Sequence, residues 1–296
     1  MRRHRKIKEL TNLQFALVLT IPVVIFLITI IIYPLVYSLW VSFHEITFFG
    51  GFNTKFVGLK NYKDIFESQK FWHSLIVSFR FTVESVVLTM LIGLGIALAL
   101  SRTFPGRKII RSLVILPWAV SYYGSGMMFK YLWRGGTGLP TALAYIFGFD
   151  ARINILGERT VIEALAIGNA WNLAPLVAFF LLANIETIPL RLYDMAEIDH
   201  MGPFRRFYYV TLPYLRFTLF VFTAICSVFS LKLFDFIFVQ TGGGPGMASA
   251  TLTYQIYKES FTNLNLGYGA AMSFYLLVLI LIMTFTLYFV WGRREE

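Results

Sequence analysis

LYDMAEIDHMGPFRRFYYVTLPYL, residues 192–215, is a charged stretch that separates two long apolar segments of the chain. Its first part, Leu192 to Met201, predicts a short amphipathic helix, because apolar side chains recur at helical spacing beside acidic ones. Gly202 and Pro203 are expected to end that helix. A helix of about ten residues is marginal alone in water and needs a partner surface. Two interpretations stay open: a peg for the groove of another protein, and an interfacial helix that lies on lipid.

The composition places the chain among membrane proteins, since 57% of its 296 residues are hydrophobic, 18% are aromatic and only 14% are charged. These values exclude an ordinary soluble domain. Six apolar segments are long enough to cross the hydrocarbon core of a bilayer. We expect an all-α membrane protein with a single transmembrane domain over residues 1–296 and a polar loop at about 186–214 between the fourth and fifth spans. The six expected spans cover residues 13–40, 74–101, 110–133, 161–185, 215–238 and 270–291.

The basic residues predict the orientation of these spans. The net charge of +10 is concentrated at the ends of the apolar segments, which argues against nucleic acid as a partner. Lysine and arginine are enriched on the cytoplasmic segments of membrane proteins. With the amino terminus inside the cell, the basic residues of Arg2 to Lys8, of 102–111 and of the loop 186–214 all fall on the cytoplasmic side. The sequence therefore predicts a multi-pass protein of the cell membrane with both termini and this loop in the cytoplasm.

The spacing within the charged stretch is specific. Asp194-Met195-Ala196 is followed at fixed intervals by His200 and then by Val210-Thr211-Leu212-Pro213. This pattern resembles the cytoplasmic signature loop of ATP-binding-cassette importer permeases, in which Glu-Ala-Ala, Gly and Ile-x-Leu-Pro occur at the same intervals. Met195 and His200 depart from it. The resemblance favours the peg and implies a coupling helix that contacts an ATPase, with Ala196 and His200 packed into the groove. The residues that it assigns to coupling are Asp194, Met195, Ala196, Asp199, His200, Met201 and Gly202.

Short motifs along nearly the full length extend the resemblance to carbohydrate importer permeases of the maltose type. They are Gly58-Leu59-Lys60-Asn61-Tyr62, Leu116-Pro117-Trp118, Ile188-Pro189, Phe234-Asp235, Thr241-Gly242-Gly243-Gly244-Pro245 and Leu266-Gly267-Tyr268-Gly269-Ala270-Ala271. The resemblance implies four kinds of partner: a second homologous permease subunit, a cytoplasmic ATP-binding-cassette ATPase dimer, an external sugar-binding protein and the sugar. No cofactor is expected, and the glycine-rich segment 242–246 lacks the lysine and hydroxyl residue of a phosphate-binding loop.

The resemblance also implies where a sugar would be held. In maltose-type permeases it lies midway across the membrane, between the spans that flank the signature loop. Asn172 could donate and accept hydrogen bonds, Phe229 could offer a platform and Ser230 a hydroxyl. Helix packing remains the alternative for all these positions. The matching positions are Asn172, Leu173 and Leu176 before the loop, and Cys226, Phe229, Ser230 and Leu233 after it.

Two charge pairs lie within the expected spans, where an isolated charge is costly. Arg80 and Glu84 are four residues apart and are expected to form a local ion pair. Lys232 and Asp235 are three apart and could pair as well, or could serve the transport path.

Other functions stay open beside the importer. A secondary carrier, driven by an ion gradient, would need no cytoplasmic peg. An intramembrane enzyme would need catalytic residues, but the histidines lie on separate loops without metal-ligand spacing and Cys226 has no evident activating partner. We therefore expect no catalytic and no metal site. Uptake that requires internal ATP and partner subunits would separate the importer from the carrier.

Overall fold

The computed structural model describes residues 11–47, 53–150 and 152–290, which are mainly helical apart from one β-hairpin. The all-α membrane class is confirmed, because five helical segments in this part are long and apolar enough to cross a membrane. The predicted side of the two termini concerns residues 1–10 and 291–296, which lie outside the described residues. The five segments are Asn12–Ser42, Gln69–Ser101, Val161–Ile185, Pro203–Leu231 and Leu266–Val290.

The secondary-structure elements follow one another in a simple order along the chain. The helices are α1 (Asn12–Leu27), α2 (Tyr33–Ser42), α3 (Lys60–Glu67), α4 (Gln69–Ser101), α5 (Arg107–Val114), α6 (Leu116–Ala119), α7 (Tyr122–Leu132), α8 (Leu139–Ile146), α9 (Val161–Ile185), α10 (Leu190–Ile198), α11 (Pro203–Arg206), α12 (Leu212–Leu231), α13 (Asp235–Gln240), α14 (Leu252–Tyr257) and α15 (Leu266–Val290). Strands β1 (His44–Thr47) and β2 (Asn53–Phe56) pair antiparallel. Single π-helical turns lie at Ile28–Ile32, Phe207–Thr211 and Lys258–Thr262.

The third expected span, 110–133, is not one helix, and its prediction as a continuous span is wrong. It is divided into α5, α6 and α7, with extended backbone at Val120 (ψ 132°) and Ser121 (ψ 150°). Pro117 has no N–H to offer to a helical hydrogen bond. Ser121 begins α7 as its N-cap and accepts a hydrogen bond from the Gly124 backbone N–H at 3.2 Å. A hydropathy profile detects the apolar run at 110–133 but not the break in the helix within it.

The other expected spans are present with shifted ends. The fourth, 161–185, matches α9. The fifth, expected over 215–238, lies earlier: a continuous helical segment begins at Pro203, passes through the π-helical turn and ends at Leu231. Lys232 is the C-cap of α12, and the chain continues as the separate helix α13. One continuous helical segment, Pro203–Leu231, thus begins within the predicted polar loop.

By internal contacts the chain falls into two compact units. The first comprises the described residues of Met1–Ile65 together with Glu259–Phe274. In it, the buried Asn61 side chain donates hydrogen bonds to the carbonyls of Ser42 (2.9 Å) and His44 (3.2 Å). Gly267 lies directly against the His44 carbonyl, where an added Cβ would overlap it. Two of the motifs quoted above, at 58–62 and 266–271, therefore serve packing within this unit.

The second unit comprises the described residues of Phe66–Lys258 and Tyr275–Glu296 and is built around α9. Most of α9 is buried, and α4 lies alongside it. Gly93 permits the close approach, because an added Cβ would come within 2.9 Å of Val177. One apolar cluster joins α4, α9 and α12 around Leu173 and Leu215, and another joins α7, α9 and α13 around Phe129 and Phe236. The loop 186–214 connects α9 and α12, two of the three helices that form the first of these clusters.

Candidate functional site

Helix α10, Leu190–Ile198, is the short helix that the sequence predicts, but it ends earlier than expected. The backbone N–H of Met201 bonds to the Ala196 carbonyl (2.9 Å) and that of His200 to the Glu197 carbonyl (2.9 Å). His200 has φ 51°, in the left-handed region. This is a Schellman ending, in which glycine is the usual residue at the left-handed position. Gly202 and Pro203 come after the stop and begin the next helix.

The side chains of α10 divide into a buried and an exposed set. Ala196 is only 2% exposed and packs inside its own chain, whereas Met195 (51%), Ile198 (75%) and Leu190 (78%) are exposed. The expectation that Ala196 enters the groove of another protein is therefore wrong in its detail. The apolar surface that α10 offers consists of Leu190, Met195 and Ile198.

The remaining residues assigned to coupling lie around this surface. Asp194 and Asp199 are exposed, and Asp199 is the C-cap of α10. Met201 is half-buried and lines a cavity, while Gly202 has open space where a Cβ would be. The structure thus places all seven residues in one short segment.

Two contacts fix α10 to the helix that follows it. The Tyr193 hydroxyl and the Thr211 hydroxyl share a hydrogen bond of 3.0 Å. A longer ion pair of 3.9 Å joins Arg206 to Glu197. Because Thr211 precedes α12 directly, a displacement of α10 would be transmitted to that helix.

A cluster of charged side chains holds the other end of the loop. Glu186 follows α9 and accepts hydrogen bonds from Arg111 and from Arg107 (2.8 Å). Arg107 also donates to the Leu100 carbonyl at the end of α4 (2.6 Å). The hydrogen bond from Arg111, with the charges of both arginines, holds the pKa of Glu186 below its usual value, so the carboxylate stays ionised at neutral pH.

Of the residues expected to line a sugar path, Asn172 is buried and hydrogen-bonded within its own chain. It is 3% exposed, and its amide nitrogen donates to the carbonyls of Pro117 (2.9 Å) and Val120 (3.1 Å) and to the Ser125 hydroxyl (3.2 Å). These carbonyls lie where the third apolar segment is broken. Asn172 therefore gives the Val120 carbonyl a donor and adds a second donor to the Pro117 carbonyl, which also accepts a hydrogen bond from the Val120 backbone N–H (3.3 Å).

Most other expected path residues are also buried within the chain. Ser230 accepts a hydrogen bond from Asn169 (3.0 Å), and Leu173, Cys226 and Leu233 belong to the apolar clusters. Only two of the seven are half-buried. They are Leu176 and Phe229.

Of the two ion pairs considered from the sequence, the structure contains one. The pair between Arg80 and Glu84 is confirmed at 2.7 Å, and Arg80 bonds to Glu163 as well. Lys232 does not form an ion pair with Asp235; its ammonium group lies 4.8 Å from the centre of the Phe229 ring. The helix break at Lys232 separates the two side chains that a continuous helix would bring together.

Comparison with known proteins identifies the chain. The family model described as binding-protein-dependent transport system inner membrane component matches residues 90–293. The chain belongs to this family. It is 32% identical to the trehalose/maltose transport system permease protein of Thermococcus litoralis over 91% of this chain and 90% of that protein. It is 29% identical to the sulfoquinovosyl glycerol transport system permease protein of Agrobacterium fabrum over 90% of this chain and 86% of that protein.

The fold of this inner membrane component is also found among solved structures. A bacterial ABC transporter involved in the import of the acidic polysaccharide alginate superposes with a TM-score of 0.81, at 18% identity, over 96% of each chain. Because the family consists of transport components, the expectation that the chain is not itself an enzyme is confirmed. Among the described residues, no three His, Cys, Asp or Glu side chains are grouped so that they could hold a metal ion.

Sequence reasoning missed an aromatic group on this inner membrane component. The Phe234, Phe238 and Tyr257 rings lie 4.8 to 5.2 Å apart, close in sequence to Phe229 and Lys232. Phe238 and Lys232 are exposed. The sequence did not indicate this group because Tyr257 is distant from the other two rings along the chain. The end of α12 at Leu231 was not predicted either, because the apolar run continues past it.

The left-handed His200 gives a testable prediction. A non-glycine residue in this conformation costs about 1 kcal/mol or more, so His200→Gly is expected to raise the Tm of the purified protein by about 2 °C and to preserve transport. His200→Ala keeps the strain while removing the imidazole, so it should give no such gain. Thermal unfolding in detergent measures both variants. A lower Tm for His200→Gly would mean that the imidazole stabilises the loop by contacts of its own.

Proposed function

We propose that this chain is a membrane-spanning subunit of an ATP-binding-cassette importer of carbohydrates, and that α10 is the helix that couples it to the ATPase. The observation that carries the proposal is the exposed apolar surface Leu190, Met195 and Ile198 on a helix that is itself anchored to α12. A solvent-facing peg of this kind needs a protein groove. A carrier driven by an ion gradient would not need an exposed helix that docks to an ATPase.

The relatives support the choice of substrate and partners. Two of them are named for transport of trehalose or maltose and of sulfoquinovosyl glycerol. A second structure of the alginate transporter, with a TM-score of 0.82, contains a periplasmic protein that holds an alginate pentasaccharide. We infer that this chain works with a second homologous permease, an ATPase dimer and an external sugar-binding protein.

The proposed topology has six crossings in a single transmembrane domain over residues 1–296. The five long helical segments provide five of them, and the broken segment from α5 to α7 provides the sixth. The loop 186–214 then lies between the fourth and fifth crossings. Basic residues on this loop and at both ends of the chain support a cytoplasmic location for the loop and for both ends.

Within this loop the seven assigned residues have different tasks. Met195, Asp194 and Asp199 are exposed beside Ile198 and contact the ATPase. The other four shape the loop: Ala196 packs α10 against its own chain, His200 ends it, and Met201 and Gly202 lead into α11.

The sugar path is proposed to follow the side chains that the chain leaves accessible. Leu176 and Phe229 are half-buried, and Lys232 next to Phe229 is exposed. An aromatic ring beside a charged group suits a carbohydrate, which has apolar faces and many hydroxyls. Asn172, Leu173, Cys226, Ser230 and Leu233 support this surface from behind.

This division of tasks predicts opposite phenotypes for substitutions at Asn172 and at Phe229. Asn172→Ala leaves the Val120 carbonyl without this donor and removes one of the two donors to the Pro117 carbonyl, so we expect a loss of about 2 kcal/mol in stability, with lower expression. Phe229→Leu keeps an apolar side chain, so expression and Tm should persist while sugar uptake falls. Expression level, Tm in detergent and uptake are measured for both. If Asn172→Ala had normal stability but no sugar uptake, Asn172 would have to be a residue of the sugar path.

The topology is tested by labelling of single cysteines. Cys226 is the one native cysteine, so Cys226→Ser provides a background for Ile198→Cys and Ile146→Cys. Ile146 is 76% exposed, close to the 75% of Ile198, but lies on a segment predicted to be outside. A membrane-impermeant maleimide is expected to label position 198 only in inside-out vesicles and position 146 only in right-side-out vesicles. Labelling of both from the same side would refute the proposed topology.

A further inference from the structure

A cavity of about 800 Å³ lies behind α10, between the end of α4, the start of α5 and the loop 186–214. One part of its wall is apolar and includes Leu98, Ile185 and Phe207. Another part is basic, with three guanidinium groups and a single carboxylate. The charged lining residues are Arg102, Arg107, Arg206 and Glu186.

The carboxylate does not neutralise this basic wall. Glu186 is shared between Arg107 and Arg111. Arg206 has only the distant and exposed Glu197, at 3.9 Å, and its buried Nε atom has no hydrogen-bond partner among the described residues. Arg102 forms no ion pair with any residue of the described ranges. Arg102 and the Nε atom of Arg206 therefore offer the cavity guanidinium donors that the described residues leave without a partner.

We propose that this cavity binds a phosphate-bearing anion, with the phosphate held by Arg102 and Arg206. Guanidinium groups bind phosphate oxygens by charge-assisted and bidentate hydrogen bonds. The apolar wall would accommodate the less polar part of the same molecule. Two sources supply this chemistry: the headgroup of an anionic phospholipid, which is abundant at a cytoplasmic membrane surface, and a free phosphate compound.

The position of the site gives its occupant a structural effect. Arg102 is the C-cap of α4, and Arg206 is the last residue of α11. An anion bound to both would join the end of α4 to the segment that follows α10. Binding itself is a property of this chain and does not depend on α10 docking to an ATPase, so the two proposals fail separately.

Native mass spectrometry of the chain in detergent tests the site. Phosphatidylglycerol, phosphatidylcholine and inorganic phosphate are titrated separately into the wild type, Arg102→Gln, Arg102→Gln/Arg206→Gln and Arg205→Gln. Arg205 is the matched control, because it is an exposed neighbour of Arg206 that does not line the cavity. Loss of charge-assisted hydrogen bonds is expected to weaken binding of the anion about tenfold in the double variant and less in Arg102→Gln, with Arg205→Gln unchanged.

The pattern of binding shows which of the two sources supplies the anion and whether the proposal holds. Preference for phosphatidylglycerol over phosphatidylcholine that is lost in the Arg102 and Arg206 variants identifies a lipid headgroup. Binding of inorganic phosphate with the same dependence, without a lipid preference, identifies a free phosphate compound. Because Arg102 is exposed and without an ion-pair partner in the described chain, Arg102→Gln should fold even if the double variant does not. Equal anion binding by Arg102→Gln and wild type, or equal loss in Arg205→Gln, would overturn the proposal.

Discussion

Ile198→Lys should abolish transport while leaving the chain folded in the membrane. The Ile198 side chain is 75% exposed on α10, so lysine there costs the isolated chain little. In a complex, the same ammonium group would be buried in an apolar groove without a partner, which costs about 3 to 5 kcal/mol. Binding of the ATPase is then expected to weaken by more than about a hundredfold. Co-purification of the ATPase and sugar uptake measure the effect.

The control for this variant is Ile146→Lys. Ile146 has nearly the same exposure, 76%, and belongs to α8, which the proposed topology places outside the cell. This variant should retain the ATPase and transport. Normal co-purification of the ATPase with Ile198→Lys would contradict the role of α10. Ala196→Asp is a poorer test, because Ala196 is buried in its own chain and the carboxylate would disturb the loop itself.

Gly267→Ala should strongly destabilise the protein. Its Cβ would overlap the backbone carbonyl oxygen of His44 and would lie 3.0 Å from the Asn61 amide nitrogen, and backbone cannot move aside as a flexible side chain can. Overpacking of this kind costs about 1 to 3 kcal/mol and sometimes more. We expect a Tm lower by several degrees and reduced expression, measured on the purified chain and by immunoblot of membranes.

Gly95→Ala is the matched control within a membrane helix. Nothing lies within 4 Å of a Cβ at Gly95, and alanine favours a helix over glycine by about 1 kcal/mol. This variant should be at least as stable as the wild type. If Gly267→Ala were equally stable, the packing of α15 against the hairpin strand β1 would have to be looser than the structure indicates.

The sequence predicted the features that depend on hydropathy and composition. The fourth span matches α9, and the second and last long helices lie within a few residues of their expected positions, because a long apolar run in a membrane has few alternatives to a helix. The third span failed because its break is supported by Asn172, a residue far along the chain that donates hydrogen bonds to carbonyls at the break. Such a long-range contact leaves no mark in the local pattern.

The site was predictable to a similar degree. The amphipathic pattern of Leu192 to Met201 predicted a short helix, and α10 lies there with shifted ends, but the pattern did not show which side chains face outward. Ala196 was assigned to the partner by the resemblance, and only the fold shows that its side chain is buried in its own chain. For His200, the resemblance implied packing into the partner's groove, and the structure adds that this residue ends α10 in the left-handed conformation that glycine usually adopts.

The decisive experiment is uptake into proteoliposomes that contain this chain, its partner permease and the ATPase, with the binding protein outside. We expect sugar uptake that requires ATP inside the vesicles and is lost with Ile198→Lys but not with Ile146→Lys. Uptake by this chain alone, driven by an ion gradient and indifferent to ATP, would contradict the proposed function.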